Sequence, residues 1–342
     1  MNAWAVLVAL VVSLAGTGLM RRLAIATGLL DRPNDRSSHT TATPRGGGVA
    51  IVAGVAAGAI ATAIATGGSW LPMLAWLGTG MLVAAVGFLD DRRGLPAVVR
   101  LAVHGAAAFA LVAVLGLQPV PWPGGPVDLG WPGLALAWLA VVWSINLCNF
   151  MDGTDGIAAA QALFVFGGAA AIGAWAATSP ASVSLLLVFA AASAGFLAWN
   201  WPPARIFMGD AGSGFLGFLI AAAALLTAST SGLSIWTWLA LNAAFLADAT
   251  VTVVVRAAHR ERVHQAHRSH VYQSLARRWG SHRRVLLAYA AVNVLWLLPL
   301  AALTVAIPRQ AVWFAAIAVV PLCVAAFLLG GGRGRESTRR NH

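Results

Sequence analysis

Residues 146–156 read Asn146-Leu147-Cys148-Asn149-Phe150-Met151-Asp152-Gly153-Thr154-Asp155-Gly156, and they lie between two long apolar runs. Asn146 and Asn149 stand three apart, as do Asp152 and Asp155, the spacing that lines one face of a helix end. Glycines follow both acids, so the backbone can turn tightly there and approach a ligand closely. An Asp-Gly step by itself marks only a polar turn between helices. The apolar sequence on either side decides what this one means.

Of 342 residues, 59% are hydrophobic and 10% charged, and mean hydropathy is +0.79. A soluble surface needs about a quarter of its residues charged, so the chain reads as an all-α, polytopic integral membrane protein. Runs of about 20 apolar residues suffice to cross roughly 30 Å of hydrocarbon as helices, and they lack the polar–apolar alternation of barrel strands. Spans are expected near 3–20, 47–66, 70–89, 98–117, 131–147, 157–177, 182–199, 214–229, 233–255, 285–306 and 311–330. They form one domain, 1–330, with a basic tail at 331–342 and no soluble module.

Arg21 and Arg22 follow the first apolar run instead of preceding it, which argues against a cleavable signal peptide. All 22 basic residues are arginines, and all but Arg309 fall on alternate loops or at their helix borders. Those loops (21–46, 90–97, 148–156, 200–213, 256–284 and the tail) are therefore expected on the cytoplasmic side, with the N-terminus outside. The formal charge of +11 is a one-sided field facing anionic lipids and solutes. Arginines scattered over short loops, with no recognition module, exclude nucleic acid as a partner. Cys148 and Cys323 sit in or beside apolar runs and form no disulfide framework.

Nine of the eleven carboxylates lie on the expected cytoplasmic loops. Transporters place ionisable groups near mid-membrane; acids gathered at one interface favour chemistry on a ligand reached from the cytoplasm. Asp90 and Asp91 close the third span, where adjacent acids oppose the helix dipole and each other. Arg92 and Arg93, or a metal ion, would offset that cost. Asp210, flanked by Gly209, Gly212 and Gly214, opens the eighth span after the prolines Pro202 and Pro203. A helix start there suits phosphate, and the acid suits a hard cation or a simple N-cap. Arg45 precedes Gly46-Gly47-Gly48, a lead-in turn whose amides could also meet phosphate. His264, His267 and His270 recur every three residues, without the cysteines or helper glutamate of a zinc site. Val271, Leu275 and Trp279 then trace an interfacial helix ending at Gly280.

Asn149–Gly156, Phe207-Met208-Gly209-Asp210-Ala211-Gly212-Ser213, Asp90-Asp91, Pro33-Asn34 with Arg36-Ser37-Ser38-His39, and His267-Arg268-Ser269-His270 together resemble the polyprenyl-phosphate N-acetylhexosamine-1-phosphate transferases. That is the glycosyltransferase family 4 group that includes phospho-MurNAc-pentapeptide translocase and the enzymes that start O-antigen. The resemblance covers nearly the whole chain, with the motifs in family order.

It implies Mg²⁺- or Mn²⁺-dependent transfer of sugar 1-phosphate from a UDP-N-acetylhexosamine to undecaprenyl phosphate, giving UMP, in the bacterial inner membrane. By the same resemblance Asp210 is the chief metal ligand, with Asp152 in or near the coordination sphere. Asp90 and Asp91 position or deprotonate the lipid phosphate. Asp155 meets the uracil side, Asn149 and Asn200 lie in the substrate site, and Phe207 stacks on the base. His267, Arg268 and His270 clamp the diphosphate, and Asp248 recurs with no assigned role. The absence of lysine hands any lysine task to Arg45 or another arginine. The translocase branch carries three consecutive histidines where this chain has His267-Arg268-Ser269-His270, which points to the O-antigen or surface-polysaccharide branch. Dimers are frequent in the family. The alternative, a secondary transporter or flippase for an anionic solute or lipid, predicts paired broken helices and ion pairs within the membrane.

Overall fold

The structure, a computed structural model, describes residues 2–31, 41–67, 70–230, 232–261 and 267–333. The chain is a helical bundle: α1 (Ala3–Thr27), α2 (Gly48–Thr66), α3 (Trp70–Arg93), α4 (Ala97–Leu115), α5 (Gly130–Met151), α6 (Ile157–Trp175), α7 (Pro180–Asn200), α8 (Asp210–Thr230), α9 (Ile235–Leu241), α10 (Ala243–Ala258), α11 (Val271–Trp279), α12 (His282–Val292), α13 (Leu298–Ala306) and α14 (Ala311–Leu328). One short ribbon pairs β1 (Leu30–Asp31) antiparallel with β2 (Thr43–Pro44). Among the described residues, ten helical stretches are long and apolar enough to cross a membrane. This is a multi-pass membrane protein.

Hydrocarbon offers backbone groups no partners, so each span satisfies its own as a helix. The ends are set by local chemistry. Ser179 accepts from the Ser182 amide with Pro180 in the first turn of α7, and Ser281 accepts from the Arg284 amide at the start of α12. Between helices, polar contacts supplement close packing, as where Ser13 donates to the Ala192 carbonyl at 2.6 Å. The innermost helix is α8, whose apolar window is 89% buried against 22% for α1. It packs on α3 and α5, while α1, α2 and α7 form a second group and α10 lies on α14.

The expected span 233–255 is broken. Its halves, α9 and α10, meet at Asn242 with a bend of 77°. Both pack on α14, but their other neighbours differ. Trp238 donates to Thr227 of α8 at 2.9 Å and Thr237 bonds Thr304 of α13 at 2.7 Å, whereas α10 turns to α5. The expected span 285–306 runs from α12 to α13 through a π-helical stretch, Asn293–Leu297, where Asn293 donates to Gln161 at 2.7 Å. Pro33, Asn34, the stretch Arg36–His39, His264 and the tail from residue 334 lie outside the described residues.

Candidate active site

Helix ends and loops that are far apart in sequence meet at one end of the bundle because glycines let backbones touch. A Cβ on Gly48 would meet Gly212 backbone, and one on Gly87 would meet the backbone of Asp210 and Ala211. The starts of α2 and α8 and the end of α3 therefore share one point. Gly47 and Gly48 amides donate to the Phe207 and Met208 carbonyls at 2.9 Å each, and the Phe207 amide donates to Pro44 at 2.8 Å. The glycine triplet is the lead-in turn to α2, and it spends these two amides on the 207–208 loop instead of leaving them for phosphate. This lacing also explains why Ile206 and Met208 are buried in a loop.

The acids converge, each in a different setting. Asp91 accepts from the Asp210 amide at 2.9 Å and the Ala211 amide at 3.3 Å, so it caps α8 from the end of α3. That offsets the cost of an acid at a helix C-terminus, since it faces the positive end of another helix. Its side chain is fully enclosed and also receives Arg45 at 2.7 Å. Asp91 is therefore placed as a support of the site, and the expected direct contact with lipid phosphate is not what its position offers. Arg45 reaches Asp210 as well, at 3.1 Å. Arg100, from the first turn of α4, bridges Asp90 at 2.7 Å and Asp210 at 3.0 Å. Arg92, offered by the sequence as a neutraliser, lies instead over the Phe88 ring at 4.6 Å.

A cavity of about 680 Å³ opens beside these acids. Of the expected site residues, Arg45, Asn149, Asp152, Asp155, Asn200, Phe207, Asp210 and Arg268 line it. Asp152 follows α5, and burial, then the nearby Asp210, pushes its carboxyl well above the usual carboxylate range. Asp155 is fixed by the Ala204 amide at 3.1 Å and His282 at 3.2 Å. Asn149 donates to Ser213 at 3.2 Å. Asn200 accepts from the Gly156 amide and donates to the Ile206 carbonyl, both at 2.9 Å. It splints the loops behind the cavity.

Two expected clamp residues stand elsewhere. His270 is buried against Asp248, 3.3 Å away, and stacks with His267 at 4.8 Å between centroids. His267 lines a different, larger cavity, while Arg268 borders both. Burial, with His270 and Arg256 beside it, pushes His267 down to about 3, so its imidazole is neutral at pH 7. Asp248 gains a place. It accepts from the Val271 and Tyr272 amides at 2.9 and 3.0 Å and from the Tyr289 hydroxyl at 2.8 Å. Arg100, His282 and Arg277 are site residues that sequence reasoning missed. A lone arginine one turn into a span after Asp90-Asp91 was the only available signal for Arg100.

Fold and site together define a polytopic membrane protein with an acid- and arginine-lined cavity at one end. Comparison with known proteins narrows this. Residues 73–228 match the family model described as glycosyl transferase family 4. A probable undecaprenyl-phosphate N-acetylglucosaminyl 1-phosphate transferase from Bacillus subtilis is 32% identical over 299 residues, 85% of this chain and 82% of that protein. A decaprenyl-phosphate N-acetylglucosaminephosphotransferase from Mycobacterium tuberculosis is 32% identical over 318 residues, 82% of this chain and 77% of its own. A phospho-N-acetylmuramoyl-pentapeptide-transferase from Shouchella clausii is 30% identical, covering 66% of this chain and 76% of that one. The chain belongs to glycosyl transferase family 4, among its polyprenyl-phosphate hexosamine-1-phosphate transferases.

Proposed function

We propose that this enzyme transfers an N-acetylhexosamine 1-phosphate from a UDP-sugar to undecaprenyl phosphate at the inner face of the bacterial cytoplasmic membrane. UMP is released, and the lipid-linked sugar starts an O-antigen or other surface polysaccharide. The observation that carries this reading is the meeting of Asp152 and Asp210 with Arg45 and Arg268 in one cavity at the helix ends. A soluble diphosphate donor and a lipid phosphate can meet only at such an interface. N-acetylglucosamine is the first sugar to test, because two of the three relatives above are named for it.

The donor set fits Mg²⁺ or Mn²⁺. Asp152 and Asp210 would hold the ion: both line the cavity, and Asp210 also meets Arg45 at 3.1 Å and Arg100 at 3.0 Å. Among those residues no three acid, histidine or cysteine side chains form a cage, in keeping with ions that use one or two carboxylates plus substrate phosphates. When bound, the cation offsets charge on the diphosphate and on departing UMP.

The remaining tasks fall to the chain itself. A lipid phosphate oxygen attacks the sugar-bearing phosphorus, the bond to the bridging oxygen breaks, and that oxygen leaves with UMP. A phosphate with its second pKa near 6 needs positioning more than deprotonation at pH 7, a role for Asp90 beside Arg100. Arg268 and Arg277 offer planar donors to the diphosphate, and Phe207 offers a face to the base. In purified protein, Asp210→Asn should lower UMP formation from UDP-N-acetylglucosamine about 10²–10³-fold, the scale seen on removing a charge-stabilising group. Near wild-type turnover would refute the assignment. A UDP-sugar panel then fixes the sugar.

A further inference from the structure

A second cavity is larger than the one at the acids. It measures about 1390 Å³ and lies between α10, α11 and the end of α14. Among the described residues, five arginines line it (Arg256, Arg268, Arg277, Arg278 and Arg333) against one acid, Glu261. Glu261 pairs with Arg256 at 2.7 Å, and arginines outnumber acids on the described wall. The wall is a built one. Gly332 donates to the Ser269 carbonyl at 2.9 Å, tying the turn after α14 to the loop before α11, and Arg333 lies 4.7 Å over Phe327. Its outer rim is apolar, since Val254, Phe327 and Leu328 are 60%, 47% and 74% exposed on membrane-spanning helices.

A positive pocket under an apolar lip at a helix end matches an anionic lipid, with charge inside and chains outside. We infer that this cavity binds the phosphodiester headgroup of an anionic membrane phospholipid, with Arg278 and Arg333 on its open side and the acyl chains along Val254, Phe327 and Leu328. The site is separate from the acid-lined cavity, sharing only Arg268 and Arg277, and the inference needs only the membrane fold. It stands whatever the sugar donor proves to be.

The test reads lipid retention, not turnover. Full-length protein is reconstituted in phosphatidylcholine nanodiscs with about 30% phosphatidylglycerol, and bound lipid is counted by native mass spectrometry. Phosphatidylglycerol should be retained over phosphatidylcholine, and the pair Arg278→Gln with Arg333→Gln should weaken it roughly 30-fold, the effect of two arginines near an anionic lipid. Lysine at both positions should keep it. The pair Arg22→Gln with Arg93→Gln, which removes equal charge outside the cavity, should leave it unchanged. An equal loss in that control would mean a general surface field and overturn the site. So would displacement of the lipid by millimolar inorganic phosphate, or by undecaprenyl phosphate in a manner abolished by the cavity variant. The last result would give the cavity to the substrate lipid instead.

Discussion

Arg100 shows what a single side chain does for the site. Its guanidinium stands between Asp90 and Asp210, which would otherwise repel across the end of α3 and the start of α8. Arg100→Gln should therefore reduce UMP formation at least about tenfold, and Arg100→Lys should lose less, because charge survives though the planar fork does not. Equal activity in all three proteins would show that the bridge is incidental. Gly209 is held at φ +77°, and a Cβ there would run into the Asp91 carboxylate. Gly209→Ala should cost about 1–3 kcal/mol and turn the first turn of α8 off its cap. A lowered melting temperature in detergent together with reduced turnover would record it. The acids were legible in the sequence because each sits in a polar break between apolar runs. Arg100 and His282 were not, since their partners Asp210 and Asp155 lie 110 and 127 residues away and only the packed bundle unites them.

Among the elements, α11 depends most on a distant residue. Its boundaries could be read from the Val271, Leu275 and Trp279 pattern and from Gly280, which ends the helix in the left-handed conformation. Its anchor could not, because caps are sought next to a helix and Asp248 comes from α10. Asp91 caps α8 in the same borrowed way. The bend at Asn242 escaped because no proline or glycine marks it; past their shared neighbour α14, α9 turns to α13 and α10 to α5. From Asp248 the order passes through Tyr272, whose hydroxyl donates to the Phe150 carbonyl at 2.9 Å, into the stretch that carries Asp152. Asp248→Asn leaves a buried donor unmatched, at about 1–3 kcal/mol, and should speed amide exchange across 271–279 before the rest of the bundle loosens. Uniform exchange rates would contradict the anchoring. His267, facing His270, Arg256 and Asp248, adds a pH dependence to the same segment. Unfolded histidine titrates near 6.5, whereas burial holds this one at about 3. Between those values the unfolded loop binds the extra proton, so stability is complete above about 6.5 and declines as pH falls toward 3. Amides 267–270 should exchange faster at pH 5 than at pH 7.5, after correction for intrinsic rates, and His267→Gln should remove the difference.

For the whole molecule, the arrangement of charge and the arrangement of chemistry require the same orientation. The acid-lined cavity forms where α3 and α5 end and α2, α4 and α8 begin, and the arginines crowd the same end. Arg309, in the short turn before α14, lies at the other end of its helix from Arg333. Cationic loops resist translocation, so the cavity should face the cytoplasm, where nucleotide sugars are made, and Arg309 should face outward. A cysteine scan can decide this directly. Cys148 is buried and Cys323 partly so, which makes Cys323→Ser a quiet background. In intact cells a membrane-impermeant maleimide should label Arg309→Cys and spare Arg93→Cys, and opening the membrane should expose the second. The reverse pattern would put the acids on the periplasmic side, away from any nucleotide donor, and the proposed reaction would fall with the topology.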